Sequence, residues 1–344
     1  CLVGSEMCIR DSPNTMVLIA YKDQQELGRW MVYSIGGGAI RIVGKESQEP
    51  EEIYKLNTFN EIKQYCEQNN KQIYDYVYET EGEEIKNFLG EIWEAMKESI
   101  CFGLNAEGII PGKLQLSKRA KSIYNNKIEN EPTEVKRTRL LTAYAYAVSE
   151  TNASGGEIVT APTCGSCGVL PATLCYVQKE DKYTDEEIIN ALATAGIIGN
   201  IVKTNASISG AECGCQAEIG TACSMAAAAC SQLRKLDIYK IEHAAEIAME
   251  HHLGLTCDPI YGYVQIPCIE RNAVAAIRAI DASNISMLLD ENQKISFDLI
   301  TETMYETGKD LRSHYRETST GGLAKKYCRN KYYNTDMELS RIHI

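Results

Sequence analysis

Residues 185–252 read DEEIINALATAGIIGNIVKTNASISGAECGCQAEIGTACSMAAAACSQLRKLDIYKIEHAAEIAMEHH, and their periodicity decides the fold. Apolar residues recur at three- and four-residue spacings over 185–203, 220–234 and 240–252, which predicts three helices. Between the first two lies a Gly-, Ser- and Cys-rich loop. The same alternation extends outward. RTRLLTAYAYAV (137–148) and residues 269–282 read as helices, and TNASGGEIVTAPTCGSCGVLPA (151–172) and GLTCDPIYGYVQIPC (254–268) as loops. The helical pattern begins near residue 52 and is plain in 61–100. The expected fold is mainly α, with a site built by polar loops at helix ends.

Upstream the period changes. MVLIAY (16–21) and RWMVYSI (29–35) are rich in β-formers, and Gly36, Gly37 and Gly38 precede AIRIVG (39–44). This predicts strands over 14–44, the closing hairpin of an α/β domain. KESQEPEEIYKLN (45–57) is a polar linker, and CLVGSEMCIRDS (1–12) fits poorly with the β-rich residues after it and reads as a non-native leader. The expected division is a leader at 1–12, a β-domain remnant at 13–48, a helical domain at 49–330 and a C-terminal extension at 331–344.

The net charge is −12 and no basic tract interleaves with aromatics, so nucleic acid is not an expected partner. No run of 18 apolar residues suggests a membrane span. No secretory signal is visible, and the chain reads as cytoplasmic. Fourteen cysteines in 344 residues, several inside Ala-rich helical stretches, suit a reducing compartment better than a disulfide scaffold. Cys66, Cys101, Cys175 and Cys230 read as packed small side chains. CGSC, with Cys164 and Cys167, is by motif a redox pair or half of a zinc site. The βαβ context of a redox pair is absent, and Cys213 and Cys215 make an unusual second half for zinc. Cys215, Cys257 and Cys268 each abut a flexible element (ECGCQ, GLTCDP, QIPC), where a helix N-terminus favours the thiolate. Spacing alone leaves them one option among several.

At these residues the chain resembles the iron–sulfur-dependent bacterial L-serine dehydratases. The resemblance is carried by YSIGGGAI (33–40), EGIIPGKLQLSKRA (107–120), NASGGEIVTAPTCGSCGVLPA (152–172), KTNASISGAECGCQAEIGTACSMAAA (203–228), HHLGLTCDPIYGYVQIPCIERNA (251–273) and HYRETSTGGLA (314–324). It implies a [4Fe–4S] cluster, and no PLP, on Cys215, Cys257 and Cys268, with one iron open to substrate. It also implies a small-molecule amino-acid substrate, a homodimer, and a cysteine near the C-terminus, here Cys328, that reaches the open iron. Tyr261 and Tyr263 stand where the family usually has smaller residues.

β-Elimination of water from serine needs a polarised leaving hydroxyl, a base for the α-proton and groups that bind the carboxylate. His251, His252 and Lys113 are candidates for the acid–base and anion-binding tasks. Asn152, Ser154, Lys203, Asn205 and Arg271 are candidates for holding substrate. Arg271 lies one helical turn beyond Cys268. Solvated charges and helix caps are the plain alternative for each. The rival functions are a related iron–sulfur lyase acting on threonine or cysteine, and a non-catalytic metal-binding or regulatory fragment.

Overall fold

The computed structural model describes residues 2–7, 15–36, 39–45, 53–290 and 292–329. Its contacts form two compact units, Cys1–Ile53 and Tyr54–Ile344, the division falling a few residues beyond the expected one. Gly37, Gly38 and the extension at 331–344 lie outside the described residues, as does most of the linker.

The first unit is an antiparallel sheet in the order β1 (Leu2–Met7), β2 (Thr15–Lys22), β3 (Gln25–Gly36), β4 (Ala39–Ile42). β1 falls within the stretch expected as a leader and pairs along β2. Val17 and Ile19, two apart on β2, and Val32 on β3 are buried, as the period of two requires.

The second unit is helical. It begins with α1 (Phe59–Asn69), α2 (Ile73–Glu81), α3 (Glu84–Asn105), α4 (Ala120–Asn125) and α5 (Thr133–Ala153). It continues with α6 (Val169–Asp181), α7 (Asp185–Asn205), α8 (Gly210–Cys213), α9 (Thr221–Leu233) and α10 (Ile238–Glu250). It closes with α11 (Cys268–Leu288), α12 (Phe297–Asp310) and a helix over 322–329, α13. The helices read from sequence all form, with ends that differ by a few residues. α7 starts where Thr184 and Glu187 make a reciprocal capping box.

α9 is the axis of the core. All of its residues are buried, and α6, α7, α10 and α11 pack around it. TACSMAAAACSQL explains this, since a helix with small side chains on every face has no polar side to give to water. Its two serine hydroxyls bond internally: Ser224 Oγ donates to Ala245 O at 2.8 Å, and Ser231 and Ser283 share a bond of 2.9 Å. α3 crosses α5 at Gly103, where any side chain would overlap the backbone of Ala147. Cys66, Cys175 and Cys230 are buried as expected, but Cys101 is exposed. It lies off the stripe of α3 formed by Trp93, Met96, Ile100 and Gly103, which faces the core.

Candidate functional site

The cysteines singled out in the sequence lie on three separate loop or helix-end segments. Cys215 precedes a π-turn, Gln216–Gly220, that leads into α9. Such wide turns recur at functional sites. Cys257 lies in the loop after α10, and its N–H donates to Tyr315 O at 2.8 Å while its carbonyl accepts from Glu317 N at 2.6 Å. Cys268 is the first residue of α11. All three are buried, at 2%, 4% and 8% exposure.

Their thiols are electrically linked. A hydrogen bond from Cys257 brings Cys215 down to about 7 against the opposition of burial, with the Arg271 guanidinium helping. Cys257 is pushed far up, because it donates that bond and is itself buried. Burial, and then the charge on Cys215, push Cys268 up. Among the described residues no three His, Cys, Asp or Glu side chains converge as a single metal ion would need. Tetrahedral zinc wants its sulfurs only about 4 Å apart. A multi-iron cluster is less demanding, because each thiolate binds a different corner. Burial disfavours the thiolate at Cys257 and Cys268, and the positive irons of a cluster would favour it. The residues therefore fit such a group.

Arg271 is half-buried on the first turn of α11. It donates to Thr256 O at 2.5 Å, lies 3.5 Å from Asp258 Oδ1, and hydrogen-bonds Cys215. Asp258 is buried and accepts from Leu323 N at 2.5 Å. Ser319 Oγ donates to Pro259 O at 2.6 Å, and Tyr327 meets Tyr261 edge-on at 6.1 Å. The tail segment is thus anchored on the Cys257–Cys268 loop. Cys328, half-buried on α13, follows Tyr327 directly.

Two residues that the sequence did not single out organise this region. Glu218 accepts from Thr163 Oγ1 at 2.7 Å, and its other oxygen lies 4.0 Å from Cys257 Sγ. Burial raises its pKa to about 8. Gly165 and Gly210 make room for it: a Cβ would come within 3.1 Å and 2.6 Å of its carboxylate oxygens. Asn272 is buried on α11. Its Nδ2 donates to Gly165 O and Cys268 O at 2.8 and 2.9 Å, and its Oδ1 accepts from Gly168 N at 2.8 Å. It ties the CGSC loop to the helix that begins at Cys268. Glycines at positions 165 and 210, flanking loops that carry cysteines, were the available signal for the Glu218 niche.

The remaining candidates are scattered. Asn152 reaches the CGSC loop, donating to Cys164 O at 3.1 Å. Ser154 ends α5, and its Oγ is buried without a partner. Lys113 is exposed on a loop that packs against Tyr263 and Gln265, where Gln265 Nε2 donates to Pro111 O at 2.7 Å. His251 is exposed and bonds to Ile247 O at 2.9 Å. His252 is buried, bonds to Ala248 O at 2.7 Å and faces Gly220, and burial lowers it to about 4. Lys203 is exposed near the end of α7, and Asn205 there donates to Asn57 O and Ile201 O at 2.6 and 3.1 Å.

Residues 39–324 match the family described as the serine dehydratase alpha chain. The chain is 44% identical to an L-serine dehydratase of Haemophilus influenzae over 329 residues, 91% of this chain and 72% of that protein. It is 44% identical to the L-serine dehydratase TdcG of Escherichia coli over 330 residues, with the same shares of each. It is 40% identical to an L-serine dehydratase of Streptomyces coelicolor over 326 residues, 90% of this chain and 71% of that one.

Proposed function

We propose, from the premise that this chain belongs to the serine dehydratase alpha chain family, that it eliminates water from L-serine to give pyruvate and ammonia. The observation that supports the site is that Cys215, Cys257 and Cys268 are all buried and electrically linked, with Arg271 beside Cys215. In this reading the three thiolates hold a [4Fe–4S] cluster. When bound, the cluster supplies an open iron that polarises the leaving hydroxyl.

The chain's own residues do the rest. Arg271 supports the Cys215 thiolate and adds positive charge where a substrate carboxylate would lie. Asn152 and Ser154 present short polar groups at the CGSC side, and Lys113 adds a cation on the loop against Tyr263 and Gln265. Asn205 and Lys203 sit at the end of α7 and fit a supporting role. His252 has one ring nitrogen on Ala248 O, and the burial that holds it neutral also opposes its taking up a proton. Cys328 follows the Tyr327 anchor, and in this reading it would act from the tail.

Among the described residues no helix is long and apolar enough to cross a membrane, and no disulfide forms among the cysteines. A homodimer is what the family resemblance implies, and light scattering tests it.

Anaerobic reconstitution with iron and sulfide, followed by pyruvate release from L-serine, tests the reaction. Activity lost in air is expected. L-Threonine and L-cysteine run in parallel decide whether Tyr261 and Tyr263 shift the preference. Protein that carries zinc and lacks charge-transfer absorbance would leave only a metal-binding fragment.

A further inference from the structure

We propose that Cys164 and Cys167 form a reversible dithiol–disulfide site, a modification centre in the loop beside the cluster region and separate from the three cysteines assigned to the cluster. The sequence set redox use aside for want of a βαβ unit, but the structure supplies the physical ingredients in another way. Cys164–Ser166 is one 3₁₀ turn running into α6. Cys167 N donates to Cys164 O at 3.4 Å and closes the turn. A closed four-residue turn keeps its end Cα atoms within about 7 Å, which is the reach of a disulfide. The two thiols differ in access: Cys164 is exposed, and Cys167 is 0% exposed. One can meet a reagent from solution, and the other can meet only its neighbour.

The loop is held for this pairing. Asn152 fixes the Cys164 carbonyl, while Asn272 fixes Gly165 O and Gly168 N. Asn272 also bonds Cys268 O, so strain in the loop is felt at the first turn of α11.

The chemistry is thiol–disulfide exchange with a low-molecular-weight disulfide, RSSR. The Cys164 thiolate attacks one sulfur, forms a mixed disulfide and expels RS⁻. Cys167 loses its proton and attacks the Cys164 sulfur. The Cys164–Cys167 bond forms and a second RS⁻ leaves. The dithiol is oxidised by two electrons, RSSR is reduced to two RSH, and the two thiol protons end on those products. Burial and then Glu218 hold the Cys164 thiol above its ordinary range, so the exchange is slow at neutral pH.

The test is anaerobic treatment of the iron-loaded enzyme with oxidised glutathione, followed by peptide mapping and iron counting. Mapping separates Cys164 from Cys101 and Cys328, which are also accessible. In the wild-type chain a Cys164–Cys167 disulfide is expected, with two hydrogens lost, iron retained and full reversal by dithiothreitol. In Cys167→Ser, glutathione should remain on Cys164. In Cys164→Ser, Cys167 should stay unmodified. Glutathione persisting on Cys164 of the wild type overturns the proposal. So does an unreactive Cys164, or iron lost in proportion to oxidation. The wild-type arm decides even if a variant fails to fold.

Discussion

At the scale of single residues the region turns on a few polar contacts inside an apolar frame. Arg271 donates to Thr256 O and supports the Cys215 thiolate. Arg271→Ala should lower iron and sulfide per chain on reconstitution and raise KM for serine. Arg271→Lys should restore the charge without the planar fork and recover only part of both. Cys215→Ala, Cys257→Ala and Cys268→Ala should each lose the full cluster, read by the same count, and a full complement in all three sinks the ligand assignment. Asn272→Ala leaves buried partners unpaired on two loops, and urea melts should show a loss of about 2 kcal/mol or more. Arg271 was legible because one helical turn from Cys268 is a spacing that sequence displays. Glu218 and Asn272 were not, because nothing local marks a Glu or Asn that will be enclosed by loops distant in sequence.

Elements obey simpler rules, and more of them could be read. α7 announces itself by a capping box and a periodic apolar run. Thr184→Ala should cost about 1 kcal/mol by removing the bond to Glu187 N, measurable in chemical denaturation. α9 was legible as a helix, and its Ala-rich composition as burial on every face. The α3–α5 crossing was not legible. Gly103 is one glycine among 25, and only the approach of Ala147 shows why no side chain fits there. Gly103→Ala should force the helices apart and lower Tm, with a penalty of about 1–3 kcal/mol typical of overpacking. Cys101 was misread for a related reason: helical periodicity says that a stripe is buried, and Cys101 lies beside that stripe.

At the scale of the molecule, buried groups of two kinds give folding opposite dependences on pH: Glu218 and Glu246 are raised, and His252 is lowered. Glu246 is raised from 4.5 to about 8 by burial, with Glu250 and Glu242 adding to it, and His243 lies 3.9 Å away. The folded chain keeps that proton where the unfolded chain releases it. Its contribution is therefore complete below about 4.5 and lost as pH rises to about 8. His252 is lowered from 6.5 to about 4 by burial, so its contribution is complete above 6.5 and lost as pH falls to about 4. Thermal melts should show Tm falling on either side of the overlap, and Glu246→Gln should flatten the fall above pH 6.5. A melt of the variant that parallels the wild type above that pH would rule Glu246 out. The tail bonds carry a different implication, one of timing. Cys257 and Asp258 complete their surroundings with Tyr315, Glu317 and Leu323, the last of these 65 positions further along. A ribosome makes the chain from its N-terminal side, so the α9 core can assemble while those residues are still being added. On the proposed ligand set, iron delivery during biosynthesis would wait until residues up to 323 have emerged, and a translation product stalled before residue 315 would meet the assembly machinery with its Cys257 loop unfinished.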